Sequence, residues 1–218
     1  MTNKRLKIKV CGMRMQENIN ELAALAVDMI GLIFYEPSKR YVLAQSPPSV
    51  EFLENLPQKL VGVFVNAAIP SLLEKVGEYS LDYIQLHGTE SPEYCQNIKS
   101  VWPNIQIIKA FAVGADFDFH QTKAYEPFCQ LFLFDTKGKN YGGNGVKFDW
   151  KILNQYEGMR PFLLSGGIGP DDAAAVNAVN HHLLYGVDLN SGFEDEPGLK
   201  NTVKLNEFIG HIHVNNNP

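Results

Sequence analysis

No stretch of this 218-residue chain approaches the roughly 18 uninterrupted apolar residues of a membrane-spanning helix. The start, MTNKRLKIKVCGM, has basic residues but no apolar segment before a small-residue cleavage site. Neither a membrane partner nor export is expected. Cysteine is scarce. Cys11, Cys95 and Cys129 are odd in number, widely spaced and never in a CxxC pair, which argues against a disulfide framework or a zinc knuckle and fits a reducing cytoplasm. Basic clusters are missing too: the longest is Lys4-Arg5 with Lys7 and Lys9 beside it, in a chain of formal net charge −5, so nucleic acid is not an expected partner. No Ser/Pro-rich linker or charge block divides the chain, and 45% of it is hydrophobic. One domain over residues 1–218 is expected, with a short polar tail from about 211.

What is present is an alternation. Short β-branched or apolar runs occur at Leu6–Cys11, Met29–Phe34, Leu60–Val65, Tyr83–Leu86, Ile105–Phe111, Leu131–Asp135, Pro161–Ser165 and Leu183–Asp188. Between them, apolar residues recur at helical spacing over Gln16–Val27, Ser49–Asn55, Pro70–Tyr79, Pro92–Val101, Asp118–Tyr125, Trp150–Tyr156, Pro170–Val179 and Leu199–Ile209. Several of these have proline in the first turn, where its missing N–H costs nothing. Eight strand–helix units with nearly continuous apolar strands predict an α/β fold with a parallel sheet, closed as a (β/α)8 TIM barrel; an open doubly wound sheet has the same alternation.

Residues with chemistry to offer fall after the runs. They are Cys11, Arg40, Asn66, His87, Asp135, the SGGIGP of 165–170 and the DLNSGF of 188–193. In a parallel barrel these positions share one mouth, where active sites are built. The last two loops predict a phosphate cradle from Gly166, Gly167, Asn190, Ser191 and Gly192, because glycine lets backbone N–H groups approach an anion and a helix start favours negative charge. Phe193–Glu196 reads as an extra helical turn. Each residue also has a plainer reading: a strand-end cysteine as a small buried hydrophobe, Asp135 as a turn cap, Arg40 as a solvated loop arginine, His87 as a satisfied structural histidine.

The segments KVCGMR (9–14), GLIFYEPSKRYV (31–42), VGVFVN (61–66), IQLHGTES (84–91), IKAF (108–111), LFDTKG and GGNGVKFDW within 133–150, LLSGGIGPDDAAAV (163–176) and GVDLNSGFEDEPGLKN (186–201), in this order, resemble the phosphoribosylanthranilate isomerase family of tryptophan biosynthesis. The resemblance spans nearly the whole chain. It implies a (β/α)8 barrel that rearranges N-(5-phosphoribosyl)anthranilate to 1-(o-carboxyphenylamino)-1-deoxyribulose 5-phosphate, with neither metal nor cofactor. The ligand is thus a small phosphorylated sugar–anthranilate. By the same resemblance Cys11 is the general base, Asp135 the general acid and Arg40 the holder of the anthranilate carboxylate. Asp188, also by the resemblance, contacts substrate hydroxyls or the imine region, and His87, from its place at the mouth, is expected to line the site.

That chemistry makes demands. Opening the furanose needs an acid at the ring oxygen, and the resulting iminium needs a base for the C2 proton; each positioned group is worth about 10²–10⁴-fold. A thiol near pKa 8.5 is mostly protonated at neutral pH, though the iminium charge acidifies the C2–H. Asp135 must hold a proton, which Leu131–Phe134 are expected to favour by supplying an apolar surround. The sequence departs from the family pattern at Asn144 and Val146 in the glycine-rich loop read as a lid, and at Ser38-Lys39-Arg40. His211 and His213 read as a polar tail rather than a metal pair.

Two other functions are open. A related phosphosugar barrel would be expected to carry strand-end lysines, as indole-glycerol-phosphate synthase does, or paired aspartates in a quasi-symmetric barrel, as the histidine-pathway isomerase does. A catalytically inactive phosphate-binding barrel would tend to have lost Cys11, Arg40 or Asp135. A monomer is expected from the ordinary charge balance.

Overall fold

The computed structural model describes residues 5–136 and 148–214, and in it each expected run forms a strand. These are β1 (Lys7–Cys11), β2 (Met29–Ile33), β3 (Lys59–Phe64), β4 (Tyr83–Leu86), β5 (Gln106–Val113), β6 (Leu131–Thr136), β7 (Phe162–Leu164) and β8 (Leu184–Leu189). Every neighbouring pair is parallel and β8 returns to β1, with Lys9 opposite Asp188, so the sheet closes in the order β1 to β8 and has no free edge. The closed barrel excludes the open sheet.

Strand alternation sorts side chains into two cores. Along β6, Leu131 and Leu133 point into the barrel with Met29, Val61, Ile108 and Leu163, whereas Phe132 and Phe134 face the helix layer. Outside the barrel Phe134 packs against Phe119, Tyr156 and Phe162 with ring centroids 5.1–5.3 Å apart. Aromatic pairs in this range add about 0.5–1.5 kcal/mol each beyond burial. The next inward position after Leu133 is Asp135. A strand anchored on both faces thus carries the carboxylate to the mouth.

The helices follow the expected order. They are α1 (Gln16–Ala23), α2 (Val50–Glu54), α3 (Ile69–Glu78), α4 (Pro92–Val101), α5 (Ala173–Asn177) and α6 (Thr202–Val214). Ser49 and Ser91 cap α2 and α4 by accepting from Phe52 N and Tyr94 N. The segments Phe119–Tyr125, Trp150–Gln155 and Pro170–Asp172 are 3₁₀ rather than α. α6 continues to Val214, past the expected polar boundary near 211.

One expectation is corrected. Phe193–Glu196 is not an extra helical turn: the turn is earlier, at Ser191–Phe193, and β9 (Glu194–Glu196) pairs antiparallel with β10 (Leu199–Lys200). The connection uses Gly198 at φ +88°, a conformation that favours glycine. This small hairpin carries Glu194 and Lys200 to the mouth.

Candidate active site

A cavity at the C-terminal end of the barrel is lined by Cys11, Tyr35, Ser38, His87, Asp135, Thr136, Ser165, Gly166, Gly167, Asp188, Asn190 and Ser191, together with apolar residues from β2, β3 and the β7 loop. Of the ten residues given a catalytic or binding role from sequence, eight therefore line one cavity. Gly192 and Arg40 are the exceptions. A Cβ on Gly192 would lie 2.3 Å from the Ile168 carbonyl oxygen, so this glycine lets the loops after β7 and β8 pack together. The Arg40 guanidinium lies beside the cavity, joined to Glu194.

Cys11 closes the inward row Lys7, Lys9, Cys11. Its thiol is buried, and Lys9 below it is fully buried with its ammonium 2.7 Å from Asp188 Oδ1. Gly31 on β2 makes room for both, since a Cβ there would approach Cys11 Sγ to 2.8 Å and Lys9 Nζ to 3.2 Å. Burial pushes the Cys11 thiol above the ordinary thiol value. Lys9, by charge and by hydrogen bond, is the largest force in the other direction, and Lys200 adds to it; Asp188 works with burial. Burial also opposes the Lys9 charge, but Asp188 and Cys11 outweigh it and hold the ammonium above its usual value. The thiol expected as a base thus sits beside a fixed cation.

Across the cavity, Asp135 Oδ1 accepts from the Thr136 N–H at 2.8 Å and Oδ2 is 3.2 Å from His87 Nε2. Gln85 Nε2 lies 2.8 Å from His87 Nδ1; an amide N–H can only donate, so the neutral ring keeps its hydrogen on Nε2, facing Asp135. Of the expected apolar surround, Leu131 and Leu133 share the inward row of Asp135 while the phenylalanines of β6 turn outward, and the carboxyl group itself meets the Thr136 N–H and the His87 ring. Gln85 Oε1 and Thr136 Oγ1, at the two ends of this chain of bonds, are buried with no hydrogen-bond partner among the described residues.

The His87 loop is held from below. Lys109, buried on β5, donates to the carbonyls of Leu86 (3.1 Å) and Gly88 (2.7 Å) and pairs with Glu90 at 3.0 Å, while Glu90 accepts from the N–H groups of Asn66 and Gly88. Asn66 Oδ1 in turn accepts from Thr89 N. The loops after β3 and β4 are thereby joined.

Gly166 and Gly167 have φ of +92° and +70°. A Cβ on Gly166 would lie 2.2 Å from Thr136 Oγ1 and 2.9 Å from Asp135 Oδ1, so the loop after β7 packs directly against Asp135. Asp188 also approaches Ser165 Oγ, at 3.4 Å. Lys9, Gln85, Glu194 and Lys200 are given no role by the sequence reading. A signal existed for Lys9, a charged residue two before Cys11 on an otherwise apolar strand. None existed for Glu194, whose partner is 154 residues away. Asn144, Val146 and the other residues of the glycine-rich segment lie outside the described residues, as does the side chain of His213.

A closed parallel barrel with a thiol and a carboxylate facing one mouth cavity, and glycine loops after its last two strands, is a (β/α)8-barrel enzyme built for acid–base chemistry. A family model described as N-(5'phosphoribosyl)anthranilate (PRA) isomerase matches residues 8–211, and the chain belongs to that family. It is 52% identical over 206 residues to the N-(5'-phosphoribosyl)anthranilate isomerase of Parabacteroides distasonis, covering 94% of this chain and 92% of the relative. A crystal structure of phosphoribosyl anthranilate isomerase in complex with reduced 1-(o-carboxyphenylamino)-1-deoxyribulose 5-phosphate superposes with TM-score 0.80 at 30% identity, over 96% of this chain and 99% of that one. A crystal structure of monomers generated from the dimeric phosphoribosylanthranilate isomerase of Thermotoga maritima gives TM-score 0.79, also at 30% identity, with coverage of 96% and 99%.

Proposed function

We propose that this chain catalyses the Amadori rearrangement of N-(5-phosphoribosyl)anthranilate to 1-(o-carboxyphenylamino)-1-deoxyribulose 5-phosphate, a step of tryptophan biosynthesis, in the cytoplasm and as a monomer. The observation that carries the reading is that Cys11 and Asp135, from opposite sides of the barrel, face one cavity in a chain of this family. Asp135 gives its proton to the furanose ring oxygen as the C1–O bond breaks and the anthranilate nitrogen forms the C1=N iminium. The Cys11 thiolate takes the C2 proton, and the electron pair of that bond neutralises the iminium. The enaminol then takes a proton at C1, passed back from the Cys11 thiol, while its C2 hydroxyl gives up a proton to become the ketone and that proton restores Asp135, so both groups end as they began. Asp188 and His87 contact the sugar, Arg40 the carboxylate, and Gly166, Gly167, Asn190, Ser191 and Gly192 form the phosphate end.

The test follows anthranilate-type fluorescence after mixing with freshly generated phosphoribosylanthranilate. The wild type is expected to accelerate its decay, and Cys11→Ala and Asp135→Asn each to lose about 10²–10⁴-fold. A wild type no faster than the double variant would overturn the assignment. A related phosphosugar enzyme would leave this substrate untouched and turn over another.

A further inference from the structure

Arg40 is expected to grip a carboxylate, yet its guanidinium is already engaged. Nε donates to both oxygens of Glu194, at 2.8 and 3.0 Å, and Nη2 donates to Oε2. Glu194 is itself fixed on the β9–β10 hairpin: Gly198 N donates to Oε1 at 3.0 Å and the buried Lys200 ammonium pairs with the same oxygen. Burial alone would push the Glu194 carboxyl up, but Arg40 and Lys200 outweigh it and keep it below the usual carboxylate value. Lys200 also donates to Asn190 Oδ1 at 2.8 Å, which ties the cluster to the cavity wall.

The guanidinium has five N–H donors arranged as two forks. Glu194 takes the Nε/Nη2 fork, and among the described residues none accepts from Nη1. The Nη1/Nη2 fork is the geometry that binds a planar carboxylate through two parallel bonds. The arginine stem is fixed as well. It crosses Gly12, where a Cβ would come within 2.7 Å of Arg40 Cδ and 3.0 Å of Asn190 Oδ1, so Arg40 passes close to a cavity-lining residue.

We propose that Glu194 is a positioning residue for carboxylate recognition: by occupying one fork of Arg40 it presents the other to the aromatic carboxylate of the substrate. The proposal rests on the function given above. It makes Glu194 matter for substrates that carry that carboxylate and for no others. A purely structural hairpin residue would affect all substrates alike.

The experiment compares kcat and KM of the full-length wild type and Glu194→Gln on phosphoribosylanthranilate and on its aniline counterpart, which lacks the carboxylate. Circular dichroism checks that the variant is folded. For the carboxylate substrate, KM is expected to rise about tenfold with kcat within about twofold, the loss of one well-oriented charged hydrogen-bond pair. For the aniline substrate both constants should stay at wild-type values. If Glu194→Gln does not fold, Glu194→Asp, which keeps the charge but withdraws it, should show the same selectivity to a smaller degree. An unshifted KM, or an equal change on both substrates, overturns the role of Glu194. A wild type that isomerises neither substrate overturns the functional reading itself, and this role with it.

Discussion

Lys9 is a fully buried charge one inward step below the expected base, and its chemistry can be separated from its packing. It is the principal force opposing burial at the Cys11 thiol, so replacing it with methionine removes that opposition and leaves Asp188 facing the sulfur. The thiol should then rise further above its ordinary value. The ascending limb of kcat/KM against pH should move to higher pH in Lys9→Met, with activity at neutral pH falling roughly tenfold for each unit of displacement. The pH dependence of Cys11 alkylation by iodoacetamide, read without substrate, should move the same way. A limb that stays in place while activity drops would reduce Lys9 to a packing role. Much at this scale was legible in sequence: Cys11, His87, Asp135 and Asp188 stand at strand ends in motif context. The long-range pairings were hidden by distance along the chain, since strand register sets Lys9 against Asp188 and a fold-wide closure sets Arg40 against Glu194.

At the level of elements, the strands were readable because each is a β-branched or apolar run with clear punctuation, and the observed bounds agree with the expected ones to within a residue or two. Weak or mixed signals were misread. Glu194–Glu196 is acidic, with poor strand propensity, and becomes a strand only because Leu199–Lys200 folds back on it through Gly198. The 3₁₀ segments after β5 and β6 have helical spacing, and their tight winding was not evident from it. The loop after β4 depends on a device no pattern displays, the buried Lys109–Glu90 pair with side chains only 3% and 1% exposed. Lys109→Met should leave the Glu90 carboxylate without its cation and destabilise the fold by about 3–5 kcal/mol, and the double variant with Glu90→Gln should recover part of this. Urea denaturation of the two single variants and the double would measure the coupling. Strict additivity would mean that the pair does not act as a unit.

For the molecule as a whole, the response to pH is set by many groups that burial shifts in one direction. Cys11, Tyr79, Tyr83, Tyr94, Tyr125 and Tyr156 all lie above their ordinary values, with desolvation the largest cause in each, whereas depressed carboxyls among the described residues are few, Glu194 and Asp195 being two. A raised group binds its proton more tightly in the folded chain than in the unfolded one, so its contribution is complete below the unfolded value and fades as pH rises through the folded value. Stability should therefore fall with alkali from about pH 9–10, where unfolded thiols and tyrosines begin to ionise. On the acid side the contribution of Glu194 should be present above 4.5 and lost as pH falls through its lower folded value. Tyr94 isolates the alkaline limb. It is pushed up to about 12 by burial, and its hydroxyl donates to the Ala67 carbonyl at 2.7 Å. Tyr94→Phe should cost about 0.5–1.5 kcal/mol at neutral pH through the lost bond. Phenylalanine does not ionise, so the gap between wild type and variant should narrow above pH 10, close before pH 12 and then reverse in favour of the variant. Urea midpoints measured between pH 7 and the alkaline transition, at about half-unit steps, test this. A gap that stays constant across the range would show that Tyr94 ionises as readily in the folded chain as in the unfolded one.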